Sequence, residues 1–277
     1  VSTQGIKERP LPRFEHRTGL DYEQLLYLER EVAARIGSWQ PATGRRKALG
    51  LFEAIVLTLV YLRHNTVQAA IGEQARVSQA TVSRYIETLE PVVSCCLDRL
   101  AIDLQARAAR SDLVVDGFLI PTRDLTSPKG LFSGKRGAPG LNAQVVCDLH
   151  GRPVDAGNLL PGSAHDARAF RESGLAKTYE HHLTGNGPSM IGDCGYIGVV
   201  PLTPVKKPEY RELTDTELLF SRQVNRRRWV VEQGIAHLRT WKVLKTGYRR
   251  PLPKADRTLQ TVLKLQMYRR HSKEAFA

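Results

Sequence analysis

Over the first hundred residues, apolar positions recur at helical spacing. Between Leu20 and Ile36 they fall at Leu25, Leu28, Val32 and Ile36, which gathers them on one face of a helix. A polar turn, PATGRRKALG, follows, and Ala48–Arg63 reads as a strongly apolar helix. Two shorter helices, Val67–Ala75 and Gln79–Leu89, are joined by Arg76-Val77-Ser78, the second stopped by Pro91. A last helix is predicted to run to about Arg107.

After Ser111 the texture changes. LVVDGFLI (113–120), NAQVVCDL (142–149) and PVDAGNLL (153–160) are short runs of strand type, and His150-Gly151-Arg152 predicts a hairpin between the last two. Ser163-Ala164-His165-Asp166 fits a capping box opening a helix toward Tyr179. PSMIGDCGY (188–196) and VVPLTPV (199–205) read as two more strands. Thr214-Asp215-Thr216-Glu217 is a second capping box, heading helical sequence, broken or not, to Leu244, and a final amphipathic helix spans about 254–271. The order predicts an α/β architecture: a mixed sheet with flanking helices, preceded by an all-α domain. The domains are 1–108 and 109–277.

Composition narrows the partner. With 277 residues, 42% hydrophobic and 25% charged, the chain can bury a sizeable core; collagen, disordered tails and disulfide mini-proteins are excluded. Lys and Arg number 41 against 28 Asp and Glu, a formal charge of +13. That excess calls for a polyanion, nucleic acid before an anionic membrane. The longest apolar stretch, Leu51 to Leu62, contains Glu53 and Thr58 and is too short to span a bilayer. The start of the sequence has no apolar core of signal-peptide length. Cys95, Cys96, Cys147 and Cys194 form no C-x-x-C pair and read as reduced thiols of a cytoplasmic protein.

Residues 67–89 have helix–turn–helix spacing, with Ala70, Ile71, Val77, Val82 and Ile86 available to pack the two helices and Ser78 as N-cap. Gln79, Thr81, Ser83 and Arg84 then occupy the N-terminal half of the second helix, the part a recognition helix presents to base edges and phosphates.

Three carboxylates stand out. Asp116 interrupts a strand apolar on both faces, where a buried charge demands hydrogen bonds, a partner or a cation. Asp193 ends a small apolar strand between Gly192 and Gly195. Glu232 lies in NRRRWVVEQGIAHLRTWKVL, where Val230, Leu238, Trp241 and Leu244 make an apolar face and Arg228, Glu232 and Arg239 share another. Singly, each has a structural explanation: a backbone-satisfied Asp, a turn Asp and an exposed i, i+4 ion pair. Together, in a basic domain, they suit two Mg²⁺ ions working on a phosphodiester, because hard cations take oxygen ligands.

In order, VVDGFLIPT, SGKRGAPGLNAQVVCD, PGSAHDARAF, IGDCGYIG and RRRWVVEQGIAHLRTWKVL resemble the DDE transposases of bacterial insertion sequences, most closely the IS-five group and its eukaryotic Harbinger relatives. The resemblance covers nearly the whole chain. It implies a ribonuclease-H-like fold and Mg²⁺- or Mn²⁺-dependent cutting and joining of DNA, with two ions held by Asp116, Asp193 and Glu232. In related insertion sequences the third acid sits in a Tyr-x2-Arg-x3-Glu-x6-Lys pattern. Here Arg228 and Glu232 match, Arg239 replaces the Lys and Asn225 stands at the Tyr position. His165 and Asp166 match a His-Asp pair of the family, read as a helix cap first and a supporting residue second.

The charge concentrates late: 206–250 holds 12 basic and 5 acidic residues, a net of +7. Arg226, Arg227, Arg228, Arg239, Lys242 and Lys245 flank Glu232 on what reads as one helix, and Lys135 and Arg136 lie in a Gly-rich link read as a mobile basic loop. All but Lys245 are expected to contact DNA phosphates. The expected protein is a nucleoid-associated transposase that binds inverted-repeat ends and target DNA, at least as a dimer, without a membrane. The alternatives are a transposase-derived DNA-binding protein and a related nuclease lacking strand transfer.

Overall fold

The structure, a computed structural model, describes residues 14–123, 130–185 and 187–275, with side chains to 271. Two compact units emerge, the first ending at Leu89 and the second beginning at Glu90. The division lies upstream of the boundary near 108 that the change of texture suggests, and it falls inside a helix.

The first unit is helical: α1 (Glu15–Thr18), α2 (Tyr22–Ile36), α3 (Leu51–His64), α4 (Gln68–Ala75) and the start of α5 (Gln79–Cys96). Helix α2 opens on a capping box, Asp21 Oδ1 accepting the Gln24 N–H at 2.8 Å and Gln24 Oε1 accepting the Asp21 N–H at 3.0 Å. Its predicted stripe, Leu25, Leu28 and Val32, is buried, as are Ile55, Leu59 and Leu62 of α3. Between α4 and α5 the chain turns through Arg76, in the left-handed region at φ 54°. A Cβ on Gly72 would lie 2.6 Å from the Val77 carbonyl, so the turn closes onto α4 only because that position is glycine. Ile71, Val82 and Ile86 are buried beneath it. Ser78 Oγ accepts the Thr81 N–H at 3.2 Å, the expected cap of α5.

Pro91 does not stop α5, which continues to Cys96. Tertiary anchors carry the helix past the missing donor. Glu90 is fully buried, accepting the Thr258 hydroxyl at 2.6 Å and pairing with Arg250, and Ser94 accepts from Lys264 at 3.0 Å. Helix α6 (Asp98–Ala108) belongs to this second unit, where Asp98 pairs with Lys264 at 2.5 Å.

The second unit is built on a mixed sheet. Its strands are β1 (Leu113–Pro121), β2 (Phe132–Ser133), β3 (Ala138–Asp148), β4 (Pro153–Ala156), β5 (Leu160–Pro161) and β6 (Met190–Ile191). The order is β2-β3-β1-β6, with β4 and β5 also on β3. Strand β1 runs antiparallel to β3 and parallel to β6. The strand expected over 153–160 breaks in two: a Cβ on Gly157 would lie 2.4 Å from Ser173 Oγ, and the Gly157 N–H already bonds the Gln144 carbonyl at 3.1 Å before the chain turns away. The strand expected over 199–205 reduces to one bridge, Ile191 with Leu202; Pro201 and Pro204 flank it and have no N–H to lend a ladder.

Helices α7 (Asp166–Glu172), α8 (Leu175–Thr178), α9 (Asp215–Arg228), α10 (Val230–Leu238) and α11 (Ala255–Ala275) complete the unit. Two are placed by the sheet's pleat, because residues paired across β1 and β3 share a face. Asp116 pairs with Val145, and Gly117 with Gln144. A Cβ on Gly234 of α10 would lie 2.4 Å from Cys147 Sγ, so α10 covers the Asp116 face. Asn142 bonds Ala164 and Asp166 at the start of α7, on the Gly117 face.

Glu90→Ala leaves the buried Arg250 without its carboxylate. Urea unfolding should register a loss of about 3–5 kcal/mol; a loss near zero would remove this pair from the account of why α5 passes Pro91.

Candidate active site

Asp116 sits mid-strand on β1 with its side chain 17% exposed. The Gly117 N–H donates to its Oδ1 at 2.7 Å. Burial pushes this carboxyl up to about 6; Asp193 and Asp166 push the same way, and the Gly117 N–H and Arg228 oppose them. Asp193 follows β6 by two residues and caps a short 3-10 turn, its Oδ1 accepting the Gly195 N–H at 2.7 Å.

A further acid, Asp166, stands beside Asp193 on the Gly117 face of the sheet. The capping box expected there does not form: α7 begins at Asp166, His165 is its N-cap, and no side chain caps it. The Asp166 carboxylate points into the cleft instead, where Lys135 reaches its Oδ2 at 2.7 Å. A Cβ on Gly195 would lie 2.8 Å from Asp193 Oδ1 and 3.3 Å from Asp166 Oδ2, so two carboxylates converge over that glycine. Asp166 Oδ1 likewise lies 3.0 Å from where a Gly117 Cβ would stand. Glycine at 117 and 195 leaves room for the acids.

A buried hydrogen-bond chain supports Asp166. Tyr196 Oη donates to Gln144 Oε1 at 2.5 Å, Gln144 Nε2 to Asn142 Oδ1 at 2.8 Å, and Asn142 Nδ2 to Asp166 Oδ1 at 3.3 Å. Burial beside the carboxylates pushes the Tyr196 hydroxyl well above its ordinary value, so it remains a donor. Asn142, Gln144 and Tyr196 escape the sequence reading. Their signal was the N-x-Q alternation inside an apolar strand, two polar residues on one buried face.

Glu232 lies apart from this group. The helix expected through 225–244 breaks at Trp229: α9 ends, the Glu232 N–H turns to the Trp229 carbonyl at 3.1 Å, and α10 begins. The buried face of α10 is Val231, Gly234, Ile235 and Leu238, while Val230 is only half-buried. The Glu232 side chain is 62% exposed and meets Arg228 Nη2 at 3.4 Å. Arg228 Nη1 lies 3.5 Å from Asp116 Oδ2, so one guanidinium bridges the two acids, with its Nε buried and unpartnered. Among the described residues, no three His, Cys, Asp or Glu side chains close around a common metal position. The donors nevertheless fit a hard divalent cation. They are carboxylate oxygens, and their mutual repulsion is what a cation relieves.

The cleft beside Asp166 and Asp193 has a volume of about 400 Å³ and is lined by Lys135, Arg136 and His165 among others; Asp116 and Glu232 do not line it. Lys135 and Arg136 are not in a loose loop. They form the turn of a hairpin between β2 and β3, closed by Gly137 N–H to the Ser133 carbonyl at 2.8 Å. Asp166 holds the Lys135 ammonium above its usual value. Arg226 and Arg227 are exposed on the last turn of α9, whereas Arg239 and Lys242 follow α10, so the basic residues around Glu232 do not share one helix. In the first unit, Thr81 and Arg84 line a second cleft, whereas the Gln79 amide donates to Gln68 Oε1 at 2.8 Å and Ser83 is half-buried. No helix among the described residues is long and apolar enough to cross a membrane.

Known proteins are similar to this sequence. Residues 115–266 match the family described as DDE superfamily endonuclease, and residues 47–98 match the helix-turn-helix of DDE superfamily endonuclease. A protein of Streptomyces albus G named as transposase for insertion sequence element IS112 is 30% identical over 77% of this chain and 78% of its own length. One from Microchaete diplosiphon, named as transposase for IS702, is 25% identical over 90% of this chain and 91% of its own. The rat protein named as nuclease HARBI1 is 21% identical over 71% of this chain and 59% of its own. The first of these family matches spans Asp116 on β1, Asp166 on α7, Asp193 after β6 and Glu232 on α10, and the chain belongs to the DDE superfamily of endonucleases and transposases.

Proposed function

We propose that this protein is a DNA transposase that binds the terminal inverted repeats of an insertion sequence, cuts DNA at the element ends and joins them to target DNA. The approach of Asp166 and Asp193 over Gly195 beside Lys135 and Arg136, with Asp116 on the neighbouring strand β1, carries the reading. The helices before residue 109 serve end recognition, and 109–277 is the catalytic part. A ribonuclease-H-like fold accords with the sheet order, in which β1 pairs antiparallel on one side and parallel on the other.

Asp116 and Asp193 are the primary ligands for two Mg²⁺ or Mn²⁺ ions, with Glu232 completing the set once Arg228 moves from between it and Asp116. Such ions supply charge neutralisation and activation of the attacking oxygen. The chain's own residues do the rest. Lys135, Arg136 and Arg228 hold the scissile phosphodiester against the acids. Asn142 and Gln144 keep Asp166 oriented, and Gly117 and Gly195 leave space for the substrate. In the cutting step water bonds to phosphorus and the 3′ oxygen leaves as a 3′-OH, with a 5′-phosphate on the other strand end. In the joining step that 3′-OH bonds to a target phosphorus, losing its proton, and the target strand's 3′ oxygen leaves and takes up a proton. Because two ends must be joined, the acting form is a dimer or larger assembly on DNA.

A specific observation favours Asp166 as a further oxygen donor: its carboxylate already faces Asp193, whereas that of Glu232 faces solvent and Arg228. Cleavage of a duplex carrying the element end, in Mg²⁺, separates the two. Asp116→Asn and Asp193→Asn should lower the rate by at least about 100-fold, more than loss of a residue that only supports a ligand, with end binding in a gel shift nearly unchanged. An equal loss in Glu232→Gln with a smaller one in Asp166→Asn assigns the third position to Glu232, and the reverse assigns it to Asp166. Wild-type cutting by the Asp116 or Asp193 variant would refute the site.

The pH dependence of stability has a definite sign. The Asp116 carboxyl is raised from 3.8 to about 6 on folding, so between those values the folded chain binds more protons than the unfolded one. Stability from this group is therefore lost as pH rises through that window. Without divalent ions at neutral pH, Asp116→Asn should be more stable than the parent by on the order of 1–3 kcal/mol. The gap should close toward about pH 4 and on adding Mg²⁺. Denaturation that shows the variant less stable at neutral pH would contradict the repulsion described above.

A further inference from the structure

The helical unit contains a second concave site that the sequence reading passed over. A cleft of about 740 Å³ lies between α5 and the loop before α3. Five cations line it: Arg45, Arg46 and Lys47 from the loop, Arg76 from the turn, and Arg84 from α5. The lining holds no carboxylate. Among the described residues, none of the five makes an ion pair, whereas Arg152, Arg168 and Arg211 elsewhere in the chain are matched by nearby acids. Arg84 spends only its Nε–H, on the Ala80 carbonyl at 3.2 Å. Five unmatched like charges around one concavity repel one another, and an external anion relieves that repulsion.

The loop is anchored in its position beside the helix. Trp39 Nε1–H donates to the Leu49 carbonyl at 2.9 Å, and Gln40 Oε1 accepts the Lys47 N–H at 2.9 Å. The Leu49 N–H reaches Tyr85 Oη on α5 at 3.3 Å. Lys47 Nζ lies 3.4 Å from the centroid of the Trp39 ring, a cation–π contact that fixes where the loop's charge stands. The cations therefore keep a set position relative to Thr81, Arg84 and Thr88, which line the α5 side of the cleft. Gln79 and Ser83 do not line it.

We propose that the 44–47 loop and the Arg76–Arg84 edge of α5 form a clamp for the phosphodiester backbone of duplex DNA. The Gln79–Ser83 flank is left to read bases. The proposal rests on the reading that this helix-turn-helix binds DNA, and it divides the labour within that surface. A phosphate clamp adds affinity without sequence preference, and base contacts add discrimination.

The test uses the full chain and fluorescence anisotropy on two duplexes of equal length, one from DNA flanking the coding sequence and one shuffled, across a salt series. The Arg45→Ala/Arg46→Ala double variant should weaken both duplexes by the same factor and make the slope of log affinity against log salt shallower by about 2. The corresponding double Lys variant should keep most of the slope. Gln79→Ala should reduce the preference for the flanking duplex and leave the slope alone. Parent-like slopes in the double Ala variant, or a loss confined to the flanking duplex, would overturn the clamp while leaving DNA binding intact. A parent that binds neither duplex would overturn both the clamp and the DNA-binding reading.

Discussion

Carboxylates held close together in a partly buried cleft set the terms for the second unit. Burial, first, and the like charges of Asp193 and Asp166, second, push the Asp116 carboxyl up. The surrounding structure tolerates the arrangement by supplying fixed partners: the N–H groups of Gly117 and Gly195, the amides of Asn142 and Gln144, and cations on two sides. These partners come from β1, β3, the turn after β6 and the end of α9, so the acids are satisfied only when those elements are all in place.

The cations around the two clefts differ in state. In the second unit, Lys135 of the cleft and the nearby Arg228 are engaged with acids. In the helical unit, the five cations of the cleft at α5 have no ion-pair partner among the described residues, and no carboxylate lines the cleft. A formal charge of +13 is thus partly spent within the protein and partly kept for a polyanion. Partner recognition depends on the second portion, because a cation already matched gains less from a phosphate than one that is not.

Much of the architecture was legible in the sequence wherever one face of an element had to be buried. The stripe of α2, the turn after α4 with Ser78 as cap, the hairpin after Asp148 and the capping box at Thr214 all follow from local rules, and the structure keeps them. Local rules failed where distant partners outweighed them. Pro91 was read as a stop, yet Glu90 and Ser94 hold α5 beyond it. Asp166 was read as a cap, yet Lys135 and Asn142 draw its side chain into the cleft.

By itself, then, the sequence determined which acids and cations the chain carries, which segments are helical or extended, and the family to which their order belongs. Those follow from spacing along the chain, because periodicity and motif order are one-dimensional properties. Only the tertiary structure decided which acids meet: Asp166 and Asp193 face each other over Gly195, Arg228 stands between Asp116 and Glu232, and the loop at 44–47 lies against α5. The reason is that charge–charge energy depends on distance through space and on burial. Neither quantity is written in a spacing of fifty residues along the chain.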